Sequence, residues 1–172
     1  ENAWVWEHQA LTRARFCAGD RDIGARFEAI RCEVLRQPRE LAKLRDEVLA
    51  MRQRMADANP NKTGLFDLKH DRGGLIDVEF IVQYLVLGHA HRHASLTGNL
   101  GNIALLGMAG ELGLIPAEAA AAVADSYREY RRLQHGLRLN NQPSRVPREQ
   151  VAEMARGVRE LWNGVFGDSL EA

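Results

Sequence analysis

Between Leu75 and His91 the sequence is apolar almost all round, and this run constrains the fold more than any other feature. On a helix, Ile76, Val78, Phe80, Ile81, Val82, Leu85, Val86 and Leu87 leave few positions for water. The segment therefore predicts the central helix of a bundle. It falls short of the roughly 20 apolar residues that span a bilayer, and no other run approaches that length. At 172 residues the chain can bury one core of this kind.

The rest of the sequence repeats with a helical period, and no stretch alternates cleanly as a strand for more than a few residues. A first helix is expected from about Ala3 to Phe16. A second runs from about Ile23 to Arg36, with Phe27, Ile30 and Val34 on one face. Pro38 suits the first turn of a third helix, whose Leu41, Leu44, Val48, Met51 and Met55 form a narrow seam among charged residues. Further helices are expected over Thr97 to Leu114, from Pro116 to about Asn140, and from about Arg148 to Phe166, with 141–147 as a loop. Leu65 to Lys69 is the one plausible strand. The expected fold is all-α, a bundle of about six to seven helices with at most one very short strand near 65–69. The turn residues Asn59 to Gly64 mark the one candidate seam, dividing helices 1–58 from a bundle over 65–172, unless the whole is one compact domain.

Composition narrows the function classes. Lys+Arg and Asp+Glu both number 23, so no bulk charge holds a nucleic acid or an anionic membrane. Cys17 and Cys32 have neither zinc-site spacing nor the density of a secreted disulfide framework, which fits reduced thiols in the cytoplasm. The chain opens without Met and with no signal peptide, already in helical pattern, as a piece of a longer protein would.

The segment richest in chemistry is Phe66 to Phe80. In a functional reading, Lys69 and Arg72 flank the Gly73-Gly74 turn at a helix N-terminus, where free amides and the dipole attract phosphate. In a structural reading, the glycines permit a tight turn and the charges solvate a loop. Asp71, Asp77 and Glu79 are carboxylates that face either an active site or a structural partner. Asp77 and Glu79 would share a metal on a strand, but on a helix they point about 200° apart. Glu79, near a buried helix, is expected to take a basic partner. His89, His91 and His93 lack nearby residues to complete a ligand set, so no metal site is expected. Between Tyr127 and Leu139, the tyrosines and Leu137 share a core face. Arg128, Arg131 and Arg132 are either solvated or a partner surface.

In combination these blocks carry a resemblance. Trp6-Glu7-His8-Gln9-Ala10-Leu11-Thr12-Arg13-Ala14-Arg15, then Phe66 through Leu87, resemble the glutamine synthetase adenylyltransferases. So, more loosely, do Ala109 to Leu114, Tyr127 to Arg131 and Gln134 to Leu139. The blocks keep the family's order and cover most of the chain. Gly73 to Phe80 looks like the family's C-terminal copy, and Leu161 to Gly167 looks like its extreme C-terminus.

The resemblance implies a bifunctional enzyme that adds AMP from ATP to glutamine synthetase and removes it, governed by glutamine and a PII-type signal protein. ATP and Mg²⁺ are then expected for the longer enzyme, and no cofactor for this piece. The family's catalytic carboxylates sit on strands, and the sheet is absent here, so catalysis is expected upstream of Glu1 and this piece is expected to be inactive by itself. An alternative stays open: a regulatory module that binds glutamine synthetase or PII without contacting nucleotide.

Overall fold

The computed structural model describes residues 5–167. It contains seven α-helices, one 3₁₀ turn and two very short strands: α1 (Val5–Leu11), α2 (Arg21–Leu35), α3 (Leu41–Ala58), β1 (Phe66–Asp67), α4 (Leu75–His89), the 3₁₀ turn Ala94–Thr97, α5 (Asn102–Glu111), α6 (Ala117–Leu139), β2 (Arg145–Val146) and α7 (Arg148–Phe166). The all-α expectation holds. β1 falls where a strand was expected, and its antiparallel partner β2 lies in the segment read as loop, with Phe66 opposite Val146 and Asp67 opposite Arg145. The expected start of the first helix at Ala3 lies outside the described residues, and α1 ends at Leu11.

The described residues fall into two compact units. One comprises those up to Met51 with Gln83–Gly101, the other Arg52–Val82 with those from Asn102 onward. This division differs from an expected boundary at 59–64, because α3 and α4 each contribute residues to both units.

In the first unit, Asp20 caps α2 by accepting from the Asp22 and Ile23 amides, which opens the helix two residues before Ile23. α2 buries Gly24, Arg31 and Leu35, while Ile23 and Ile30 remain 67% and 58% exposed. The apolar stripe read from the sequence is thus not the buried one. Arg31 takes the inner position because its head group is satisfied there, donating to the Thr97 carbonyl at 2.7 Å and to Glu28 at 2.8 Å. Arg39 likewise donates to the Val34, Leu35 and Leu87 carbonyls. Gln9 donates to Gln83 at 3.0 Å, fixing α1 through a buried amide. Pro38 precedes α3, which opens at Leu41 with Leu44 N bonded to the Glu40 carbonyl. Leu44 and Val48 of its seam are buried.

In the second unit α6 packs against α5 and α7. Its core includes Phe66, Leu68, Ile76, Val78, Leu106, Val123, Tyr130, Val158, Trp162 and Phe166. The helix stops are chemical: Gly113 and Gly167 adopt left-handed φ of 68° and 79° after α5 and α7. Fully burying a Leu- or Phe-sized side chain contributes about 1.5–3 kcal/mol, so this apolar set dominates the unit's stability.

Candidate functional site at the Phe66–Phe80 turn

The turn between β1 and α4 is built from side chains that satisfy its backbone. Asp67 Oδ1 accepts from the Lys69 and His70 amides at 2.9 and 3.0 Å, which folds the chain over directly after the strand. Asp71 accepts from Asn61 Nδ2 with both oxygens, at 3.0 and 2.8 Å, and from the Asp67 amide at 3.1 Å. Arg148 reaches the same carboxylate at 3.4 Å. Arg145 Nε stands 3.6 Å from Asp67 Oδ2, an ion pair too long for a hydrogen bond.

The glycines are set by packing. Gly73 has φ +86°, and a Cβ there would lie 2.4 Å from the Ala155 carbonyl oxygen of α7. At Gly74 a Cβ would lie 2.8 Å from the Leu68 carbonyl oxygen. Tyr130 Oη donates to the Gly73 carbonyl at 2.9 Å, and burial pushes that hydroxyl's pKa well up. The amides that open α4 are also occupied: Leu75 N donates to the Leu68 carbonyl at 2.9 Å and Ile76 N to that of Lys69 at 3.2 Å. The free amides expected to draw phosphate between Lys69 and Arg72 are therefore taken by the turn's own carbonyls. Lys69 is exposed on the outside of the turn.

Asp77 holds the centre. Its Oδ1 accepts from Arg52 Nε at 2.5 Å, its Oδ2 accepts from the Gly73 amide at 2.6 Å, and Arg52 Nη2 donates to the His70 carbonyl at 2.9 Å. Arg52 and Asp77 are each 1% exposed. One residue pair thereby ties α3, the turn and α4 together. Arg72 lies with its guanidinium carbon 5.5 Å from the ring centroid of Trp162, a cation–π arrangement. Burial holds its pKa below the usual arginine value, with Asp77 opposing and Arg52 adding to that shift. Glu79 points elsewhere, accepting from Tyr127 Oη at 3.1 Å, while Asn102 donates to the same hydroxyl at 3.0 Å. Asp77 and Glu79 thus address different partners, as their spacing on a helix requires.

The arginines of α6 pair along their own helix. Arg128 meets Asp125 and Arg132 grips Glu129 with two donors, which draws the Glu129 carboxyl below its ordinary value. Arg131 donates to Gln134. Of the histidines, burial and then the neighbouring His93, His91 and Arg92 pull His89 below its ordinary value. Among the described residues no three His, Cys, Asp or Glu side chains are grouped as metal ligands. No helix among them is long and apolar enough to cross a membrane.

The sequence reading left out Arg52, Asn61 and Trp162. Arg52 had a signal: it stands four residues after Val48, on the buried face of α3, and a buried Asp77 demands a cation. Asn61 and Trp162 had none, since a turn amide and a helical tryptophan do not announce their partners.

The chain is similar to known proteins over nearly all its length. A family model described as GlnD PII-uridylyltransferase matches residues 42–163. A bifunctional glutamine synthetase adenylyltransferase/adenylyl-removing enzyme of Aromatoleum aromaticum is 67% identical over 98% of this chain and 18% of its own length. Proteins of the same description from Ralstonia nicotianae and Nitrosomonas europaea are 64% and 55% identical, over 96% and 97% of this chain. Of those two relatives the chain spans 17% and 20%.

Proposed function

The chain belongs to the family described as GlnD PII-uridylyltransferase, and from that premise we propose that it is a helical, non-catalytic part of an enzyme that transfers AMP from ATP to glutamine synthetase. The observation that supports this reading is how the carboxylates of Phe66–Phe80 are engaged. Asp67, Asp71 and Asp77 accept from the chain's own amides and from Arg52 and Asn61, and Glu79 accepts from Tyr127. A carboxylate that binds Mg²⁺ for phosphoryl transfer must offer its oxygens to the metal; these offer theirs to the fold. The segment then acts as a brace that orders three helices and the turn between them. Glutamine synthetase is the acceptor of AMP, ATP and Mg²⁺ are bound by the longer enzyme, and a PII-type protein carries the regulatory signal.

The test is kinetic and uses the longer enzyme. Glu79→Gln and Asp71→Asn, each shown to fold, should lower kcat for AMP transfer by less than about tenfold, which is less than 1.4 kcal/mol of barrier. A loss of about 10³ or more with stability intact would make these carboxylates catalytic and overturn the proposal.

A further inference from the structure

The first unit leaves one apolar face of α2 open to solvent. Ile23, Phe27, Ile30 and Val34 follow one another at intervals of four, three and four residues, which keeps them within about 60° around the helix. The side chains that α2 turns inward, Arg31 and Leu35, lie along a different line. Ile23 and Ile30 are more than half exposed, and Phe27 and Val34 are half-buried. Phe16 extends the face. A Cβ on Gly24 would lie 2.7 Å from its ring, so the ring rests on the helix backbone beside Ile23 while remaining 37% exposed.

This exposure is not the ordinary scatter of a protein surface. Of the eight large apolar side chains that stand exposed among the described residues, six are in the first unit, the smaller of the two: Trp6, Phe16, Ile23, Ile30, Leu41 and Leu100. A single exposed apolar residue needs no explanation. A run along one helix face does, because such a stripe is the pattern of a helix packed against something.

Its chemistry and size together select the cover. The four helical positions carry no charge, which suits a permanent contact, since obligate interfaces are the more apolar ones. From Ile23 to Val34 the helix rises about 16 Å and is about 10 Å wide, so the face offers roughly a few hundred Å². A stable complex between separate molecules buries about 800 Å² per partner, well beyond this. Within one polypeptide the second surface is already held nearby and little translational freedom is lost, so a small apolar contact suffices. This chain spans 17–20% of the length of its relatives, and the greater part of such a polypeptide lies outside it.

We propose that Phe16, Ile23, Phe27, Ile30 and Val34 form an intramolecular docking face, covered in the longer enzyme by an apolar surface of the same polypeptide outside this chain. The inference rests on the reading that the chain is part of such an enzyme, and it is independent of where the adenylyl-transfer chemistry takes place.

Hydroxyl-radical footprinting of the 172-residue chain and of the longer enzyme compares solvent access at α2 directly. Modification of Ile23 and Ile30 should fall roughly fivefold in the longer enzyme, the change from more than half exposed to buried. It should stay low across about a hundredfold dilution, because an intramolecular contact does not depend on concentration. Equal modification in both proteins would overturn the proposal. So would protection that fades on dilution, which would assign the face to a second copy, or protection that appears only with added glutamine synthetase. The double variant Ile23→Glu with Ile30→Glu supplies a second readout. Its urea midpoint should match that of the unaltered 172-residue chain, where both side chains already meet water, and should fall in the longer enzyme. No fall in the longer enzyme, or an equal fall in both proteins, would contradict the docking role. The footprint reads only solvent access at α2, so it can fail while the kinetic test of the carboxylates succeeds, and the reverse.

Discussion

Arg52 Nε and Asp77 Oδ1 lie 2.5 Å apart, with both side chains 1% exposed, and this pair joins α3 to the first turn of α4. Removing one member of a buried ion pair strands the other charge, at a cost of about 3–5 kcal/mol. Asp77→Ala should therefore destabilise the chain by about that much in urea unfolding. Arg52→Met combined with Asp77→Ala should cost less than Asp77→Ala alone, because no uncompensated charge remains. Additive losses would show that the two side chains are energetically independent.

Gly73 gives a backbone prediction with an internal control. Its φ of +86° and the Ala155 carbonyl oxygen 2.4 Å from a would-be Cβ make Gly73→Ala strained in two ways. A loss of at least about 2 kcal/mol is expected. Gly136 and Gly157 lie inside α6 and α7 with nothing within 4 Å of a Cβ. Alanine there should stabilise by about 0.5–1 kcal/mol, through helix propensity. Denaturant midpoints of the three variants, moving in opposite directions, check the assignment.

These two cases show what was readable in the sequence and what was not. Helix periodicity located α7 and the long buried α4, because many residues repeat the same signal. β2 escaped because two residues cannot display alternation, and a strand that short exists only through its partner. The stripe Phe27, Ile30 and Val34 on α2 misled because hydrophobicity was weighed without hydrogen bonding. Arg31 is buried because carbonyls and Glu28 await its head group. The turn's glycines were legible as a special backbone, yet phosphate and protein packing ask for the same residue, and only the position of Ala155 separates them.

The hydroxyl of Tyr127 joins Asn102 of α5 to Glu79 of α4. Tyr127→Phe keeps the ring and removes both bonds, so Asn102 and Glu79 each lose one hydrogen bond. A loss of about 1–3 kcal/mol in urea unfolding is expected. A neutral outcome would mean that water replaces the hydroxyl without cost.

Stability should fall on acidification through the histidines of the first unit. Burial lowers both His8 and His89 below their ordinary value of 6.5. The unfolded chain then binds protons that the folded chain resists, so unfolding free energy rises with pH in this window. The contribution is complete above 6.5 and diminishes as pH drops through and below it. Unfolding curves between pH 5 and 8 should show this slope, and His89→Gln should flatten it. An unchanged slope in that variant would exclude His89 as a source.

The central claim is that this chain supports adenylyl transfer without performing it. Glutamine synthetase incubated with labelled ATP and Mg²⁺ should acquire label from the longer enzyme and none above background from the 172-residue chain alone. Label transferred by the chain alone would contradict the account and place the chemistry among Asp71, Asp77 and Glu79.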